Sequence, residues 1–243
     1  MNATTVGDVF DVRTGLQAYE KGKGVPKQTA ADVKNHVFDR DHGDSDDTYR
    51  YLEGKDVRRY ETAWSGMWMR YGRWLSQPRT IDVFARPRVL IREITSPPPC
   101  CLNATFEEDC FLSNKSVLTV LNQHDDVAKL KMLVGVLNSR LISAYYKGKA
   151  VKGARRVFPK IVIKNLREFP YPKDAPKAHV DSLIALVDST LVLRRQLSAA
   201  RSEATRTILR RQLDDADRRT DACVYELFGL EDADIELVES HEW

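Results

Sequence analysis

All ten prolines of the chain stand at or before Pro176, and of its twelve glycines only Gly229 comes later. Proline removes a backbone donor and clashes inside a helix, and glycine weakens one. The residues from 177 onward are therefore free to form long helices, whereas the first ~120 residues are interrupted often enough to read as short elements. Apolar spacing agrees. Val180, Leu183, Ile184, Val187, Leu191 and Leu197 follow one helical period, and Ala204, Ile208, Val224, Leu227 and Phe228 a second. The repeat thins between Ala199 and Arg206, which predicts an antiparallel hairpin of two helices, with one continuous coiled coil as the alternative. Gly229 is placed to cap the second helix, and a short acidic helix is expected after it. Pro170, Pro172 and Pro176 mark a boundary, so the expected domains are residues 1–174 and 175–243.

Ahead of that boundary, Val9–Val12, Thr48–Leu52, Met67–Met69 and Val89–Ile94 have the β-branched and aromatic content of strands. Turn clusters separate them: Gly22 to Gly24, the run Asp41 to Asp47, and Ser96-Pro97-Pro98-Pro99. Asp125 or Asp126 predicts the N-cap of a helix reaching about Tyr146, with Leu130, Leu133, Val134, Leu137, Leu141 and Tyr145 as its apolar face and Lys147-Gly148 as its stop. An extended segment over Val157–Ile163 follows, closing at Phe169-Pro170-Tyr171-Pro172. The expected class is α+β: a mainly-β domain with a packed helix, followed by a C-terminal antiparallel helical hairpin with an acidic tail.

Lys+Arg number 38 against 35 Asp+Glu, a net charge of only +3, but the charges are segregated. Lys147, Lys149, Lys152, Arg155, Arg156, Lys160, Lys164 and Arg167 follow one another with no acid between them, while Asp221 to Glu242 contains eight acids and no Lys or Arg. Such asymmetry speaks of partners rather than of fold, and a basic run with glycine suits phosphate contact, although a solvated loop can carry the same residues. A second basic cluster is interleaved with aromatics from Tyr49 to Trp74 and includes Lys55, Arg58, Arg59 and Arg73. Arginine beside aromatic rings suits backbone contact and stacking, and core packing is the alternative for the individual rings.

Other classes find no support. The four cysteines form no CxxC pair and make neither a disulfide framework nor a zinc set. There is no Gly-x-Gly-x-x-Gly loop, no phosphate-loop Gly-Lys-Ser/Thr and no Gly-x-Ser-x-Gly elbow. Asp46-Asp47 with Glu53-Gly54-Lys55 matches a metal-nuclease pattern short enough for chance to supply it. No apolar run approaches a membrane span or a signal core, so neither membrane association nor export is expected, and the expected location is the cytoplasm.

Five blocks in order resemble a known family. Val12-Arg13-Thr14-Gly15-Leu16-Gln17 followed by Tyr51-Leu52-Glu53-Gly54-Lys55-Asp56-Val57-Arg58-Arg59-Tyr60, then Tyr71-Gly72-Arg73-Trp74-Leu75, Arg86 to Ile94, Leu133 to Tyr146 with its Leu137-Asn138-Ser139, and finally Phe158-Pro159-Lys160-Ile161 with Phe169-Pro170-Tyr171-Pro172, are similar to the TaqI-like C-terminal specificity domain. That domain belongs to adenine-specific DNA methyltransferases, including fused type IIG restriction-modification enzymes, and the resemblance covers about residues 6 to 172. It implies sequence-specific binding of double-stranded DNA, with Arg13, Thr14, Lys55, Arg58 and Arg59 near the bases, Lys147, Lys149, Lys152, Arg155 and Arg156 on phosphates, and Arg73 and Lys160 as further DNA-binding residues. The methyltransferase motif Asn/Asp-Pro-Pro-Tyr/Phe is missing, since Ser96 precedes Pro97-Pro98-Pro99. The resemblance therefore implies a recognition part, excised or stand-alone, with no catalytic residue, cofactor or metal of its own. Its partner is a methyltransferase domain or subunit; the parent enzyme binds S-adenosylmethionine, and Mg if a nuclease is fused. The hairpin is then a spacer or docking element. Two other readings stay open: a metal-dependent nuclease with an unfamiliar site, and a helical interaction or dimerisation module.

Overall fold

The computed structural model describes residues 4–150 and 160–240. In chain order these form α1 (Val6–Val9), β1 (Asp11–Thr14), α2 (Ala30–Lys34), β2 (Asp39–Arg40), β3 (Thr48–Leu52), a 3-10 turn (Gly54–Asp56), β4 (Val57–Arg58), β5 (Glu61–Thr62), β6 (Trp68–Arg70), α3 (Asp82–Ala85) and β7 (Arg88–Arg92). They continue with β8 (Ala104–Glu107), β9 (Leu112–Ser113), β10 (Val117–Leu121), α4 (Val127–Leu137), α5 (Arg140–Ala150), α6 (Ile163–Arg167), α7 (Lys177–Ala199), α8 (Glu203–Phe228) and α9 (Asp232–Ser240). The class is α+β.

Two four-stranded sheets organise the first part. One has the order β1-β10-β7-β8 and is antiparallel throughout; the other runs β2-β6-β3-β9, with β3 and β9 parallel. β4 and β5 form a separate two-stranded ribbon. β10 and most of β7 are buried along their length, as central strands covered on both faces are. α4 lies against this sheet and is itself covered by α7, so its residues from Met132 to Leu137 are all buried. The apolar core runs without interruption from Val89, Ile91 and Val120 through Leu133 and Val136 to Leu183, Val187 and Val224 of the hairpin. A second core, with Leu16, Tyr51, Met69, Leu75 and Phe84, fills the other sheet.

The hairpin matches its sequence expectation. α7 ends at Ala199, Ser202 caps α8 by accepting from Thr205 N, and Gly229 closes it in the left-handed conformation at φ 63. The helix starting at Asp126 differs. Asp126 is the N-cap, but the helix predicted to reach Tyr146 is broken at Asn138-Ser139 into α4 and α5. The Ser139 hydroxyl donates to Val136 O and accepts from Ile142 N, ending one helix and starting the next. Gly148 does not stop the second helix, which continues to Ala150; helical dihedrals tolerate a glycine at a modest cost.

Two extended segments also differ. Val9 closes a short helix, so the strand expected over Val9–Val12 starts at Asp11. Of Val157–Ile163, residues 157–159 lie outside the described residues, Lys160 bridges to Ile94, and Ile163 opens α6.

Candidate nucleic-acid interface

A groove among the described residues encloses about 1400 Å³. Its β wall comes from the β4–β5 ribbon and the end of β8, and its helical wall from the tip of the α7–α8 hairpin. The ribbon reverses through Arg59 and Tyr60, with Tyr60 at φ 58, a conformation a bulky residue rarely adopts. Tyr60 holds it because its ring is buried and its N–H donates to Ala104 O at 2.9 Å. Glu61 accepts from the Ser198 hydroxyl of α7, so ribbon and hairpin are tied across the groove.

Seven arginines line the groove against four carboxylates. Arg58 belongs to the β wall, as do Glu61, Glu107, Glu108 and Asp109; the hairpin wall contributes Arg194, Arg195, Arg206 and Arg210 and no acid. Trp64 and Phe111 make an aromatic panel in the same groove. Trp64 packs edge-on to Phe111 at 6.1 Å and to Trp68 at 5.4 Å, and the Arg50 guanidinium lies 4.0 Å from the Phe111 ring centre. Burial pulls the pKa of Arg194 down, with the Arg59 charge beside it as the next cause, and its Nε has no hydrogen-bond partner.

Below the groove the two walls are bolted together. Arg59 donates to both oxygens of Asp217 in α8, at 2.9 and 3.0 Å, and to Asn138 O at 3.0 Å. Asp221, one turn further on, accepts from Arg140 N at 2.9 Å and lies 3.3 Å from Arg140 Nε. Arg140 also pairs with Glu239 of α9, which accepts from the Tyr225 hydroxyl. Burial pushes Asp221 up to about 6 and the neighbouring Cys100 thiol up to about 11.

The structure distributes the sequence-selected residues over several places. Arg58, 61% exposed, faces the groove, whereas the Arg59 side chain is 16% exposed and turned to Asp217. Arg13 and Thr14 lie on β1, Arg13 in a shallow polar hollow with Arg86 and Arg167. Arg13 pairs with Asp11, and the Thr14 hydroxyl accepts from Arg79. Lys55 pairs with Glu53 at 2.7 Å, Arg73 is exposed, Lys149 sits 4.7 Å from the Tyr145 ring, Lys160 meets Glu93 at 3.3 Å, and Lys147 is half-buried on α5. Lys152, Arg155 and Arg156 lie outside the described residues.

Sequence reasoning passes over Arg194, Arg195, Arg206 and Arg210 because they are embedded in a helical pattern; their recurrence around the thin point of the apolar repeat is the available signal. Of the nuclease-like pattern, Asp47 pairs with Arg70, and Glu53 pairs within the pattern with Lys55. Among the described residues no cluster of His, Cys, Asp and Glu could hold a metal, and no helix is long and apolar enough to cross a membrane.

A family model described as the TaqI-like C-terminal specificity domain matches residues 49–171. No curated protein matches the chain. Among solved structures, the type IIL restriction-modification enzyme MmeI, determined in complex with DNA, aligns at TM-score 0.59 and 11% identity over 98% of this chain and 36% of that one. The type IIG restriction endonuclease BpuSI aligns at TM-score 0.52 and 12% identity over 92% of this chain and 31% of that one. At these identities the likeness is one of fold, and the chain spans about a third of the length of the structures it matches.

Proposed function

The chain belongs to the family of TaqI-like C-terminal specificity domains, and from that premise we propose that it recognises duplex DNA sequence-specifically, as the target-recognition part of an N6-adenine methyltransferase or fused type IIG restriction-modification enzyme. The observation that carries this reading is the arginine-lined groove, whose β wall lies inside the matched segment and contributes Arg58, Trp64 and Phe111 to the lining. Arginine forks match guanine O6 and N7 in the major groove, and phosphate contacts fix register without reading sequence. Arg58, Lys55, Arg73, Arg13 and Thr14 serve in this reading near base edges, and Lys147, Lys149, Lys152, Arg155, Arg156 and Lys160 on the backbone. Arg59 holds the groove's shape through Asp217.

S-adenosylmethionine belongs to the partner methyltransferase domain or subunit. The described residues do not fit it: the 1400 Å³ groove is open and lined by arginines, and the sequence has no glycine-rich loop of the Gly-x-Gly-x-x-Gly kind. The chain's own share of the reaction is to place the duplex so that the catalytic part can extrude the base.

Fluorescence anisotropy of a mixed-sequence duplex at several salt concentrations tests this reading. The expected result is binding that weakens steeply, with a log–log slope near −0.9 per phosphate neutralised, and selection from a random duplex pool that returns one motif. No affinity for any duplex at low salt would remove it. A second reading rests on Val192 and Ile208, 49% and 58% exposed near the hairpin tip: a hydrophobic seam for another protein or a second copy. Self-association that ignores salt would mark that reading.

A further inference from the structure

We propose that the tip of the α7–α8 hairpin is a phosphate clamp for the bound duplex, so that DNA is gripped between the hairpin and the β4–β5 ribbon and the hairpin is no passive spacer. This rests on the DNA-recognition reading and extends it to residues that lie outside the matched segment 49–171.

The first ground is charge segregation along the hairpin. Arg194, Arg195, Arg201, Arg206, Arg210 and Arg211 fall around the turn, and Glu203 is the only acid between the first and the last of them. That carboxylate is shared by Arg206, at 4.0 Å, and Arg210, at 2.6 Å. Further along α8 the balance reverses, with Asp214, Asp215, Asp217 and Asp221. Net positive charge is therefore concentrated at the tip of the hairpin, where six arginines share one carboxylate and an external anion would relieve their mutual repulsion.

The second ground is the asymmetry across the groove. All four carboxylates of its lining sit on the β wall, and the helical wall offers arginine alone. A polyanion entering the groove is steered against the hairpin, leaving Arg58 and the aromatic panel to face the side that carries bases. Arg206 and Arg210 are one helical turn apart, about 6 Å along the axis, which approximates two steps of about 3.4 Å along a DNA strand.

The third ground is Arg194. Its side chain lines the groove and makes no ion pair among the described residues; its Nε is buried within the wall, and Asp217 of α8, whose charge acts on it, is already engaged by both Nη atoms of Arg59. A guanidinium held in place without an acid of its own is pre-organised for an anion arriving from the groove.

The test compares the wild-type chain with a quadruple variant, Arg194→Gln, Arg195→Gln, Arg206→Gln and Arg210→Gln, in duplex binding against salt. The salt slope should become shallower by about 0.9 for each phosphate that is no longer neutralised, with affinity falling at least ten-fold at low salt while the selected motif stays the same. The matching Arg→Lys quadruple variant should keep the slope, because charge and not packing is at stake. Arg218→Gln with Arg219→Gln, on the same helix but absent from the groove lining, should leave it unchanged. A wild-type chain that binds and a Gln variant that binds with the same slope would overturn the clamp and leave DNA recognition standing. Equal loss in the Gln and Lys variants would also overturn it, by showing that packing was disturbed. No wild-type binding to any duplex would remove the recognition reading and the clamp with it.

Discussion

Asn138 ends one helix and seals one sheet. Its side-chain amide donates to Ala104 O at 2.9 Å and accepts from Ala104 N at 3.0 Å, completing the backbone of β8, the edge strand of its sheet. Its own carbonyl takes a bond from Arg59. Asn138→Ala leaves the Ala104 N–H buried and unpaired while Ala104 O keeps its bond from Tyr60 N, so unfolding in urea should show a loss of about 1–3 kcal/mol. Arg88 makes the complementary point. It is fully buried, donates to Arg86 O and Asp109 O, both at 2.9 Å, and burial pulls its pKa down to about 10. The resemblance places Asn138 in a Leu-Asn-Ser helix and Arg88 in a strand. That the first pairs with an edge strand, and that the second is a structural cation rather than a surface one, follows only from neighbours distant in sequence.

Between elements, α4 packs tightly against α7 at Gly135. A Cβ there would meet Leu183 Cδ1 at 2.7 Å and Cγ at 2.9 Å, with Val187 Cγ2 at 3.1 Å. Those leucine atoms are buried and have little room to move. Gly135→Val should therefore destabilise by about 1–3 kcal/mol through overpacking, and hydrogen exchange should show α7 losing protection before the β10–β7 pair does. Thr48–Leu52 and the hairpin helices are legible because long-period or β-branched patterns survive local reading. The break between α4 and α5 is not, because Leu137 and Leu141 keep helical spacing across it, while the bonds that accompany it are those of the Ser139 hydroxyl and of Asn138 to Ala104.

Over the whole molecule, the walls of the groove are joined by charges from three separate stretches: Arg59 in the ribbon turn, Arg140 at the head of α5, and Asp217 with Asp221 in α8. Burial dominates at Asp221 and raises its pKa to about 6, with Arg140 opposing. A carboxyl whose folded pKa lies above its unfolded value binds the extra proton in the native state. Its favourable share is present below pH ~4 and is lost as pH rises through 6. Asp221→Asn escapes that loss and keeps an acceptor for Arg140 N. Its stability relative to the wild type should thus improve by roughly 3 kcal/mol between pH 4 and pH 7, read from urea midpoints at each pH. A difference independent of pH would mean that Asp221 is not desolvated.

The sequence by itself determined the α+β division, the hairpin and its caps, and the family resemblance, because proline and glycine placement, helical period and ordered short blocks are local properties of a chain. Tertiary structure decided which charges share a surface. Arg58 and Arg59 are adjacent in sequence, yet one faces the groove and the other a carboxylate 158 positions away. The hairpin arginines joined that groove only when the continuous core laid α7 on α4. Charge is read residue by residue, but an electrostatic site is a sum over distances in space, and those distances are set by packing.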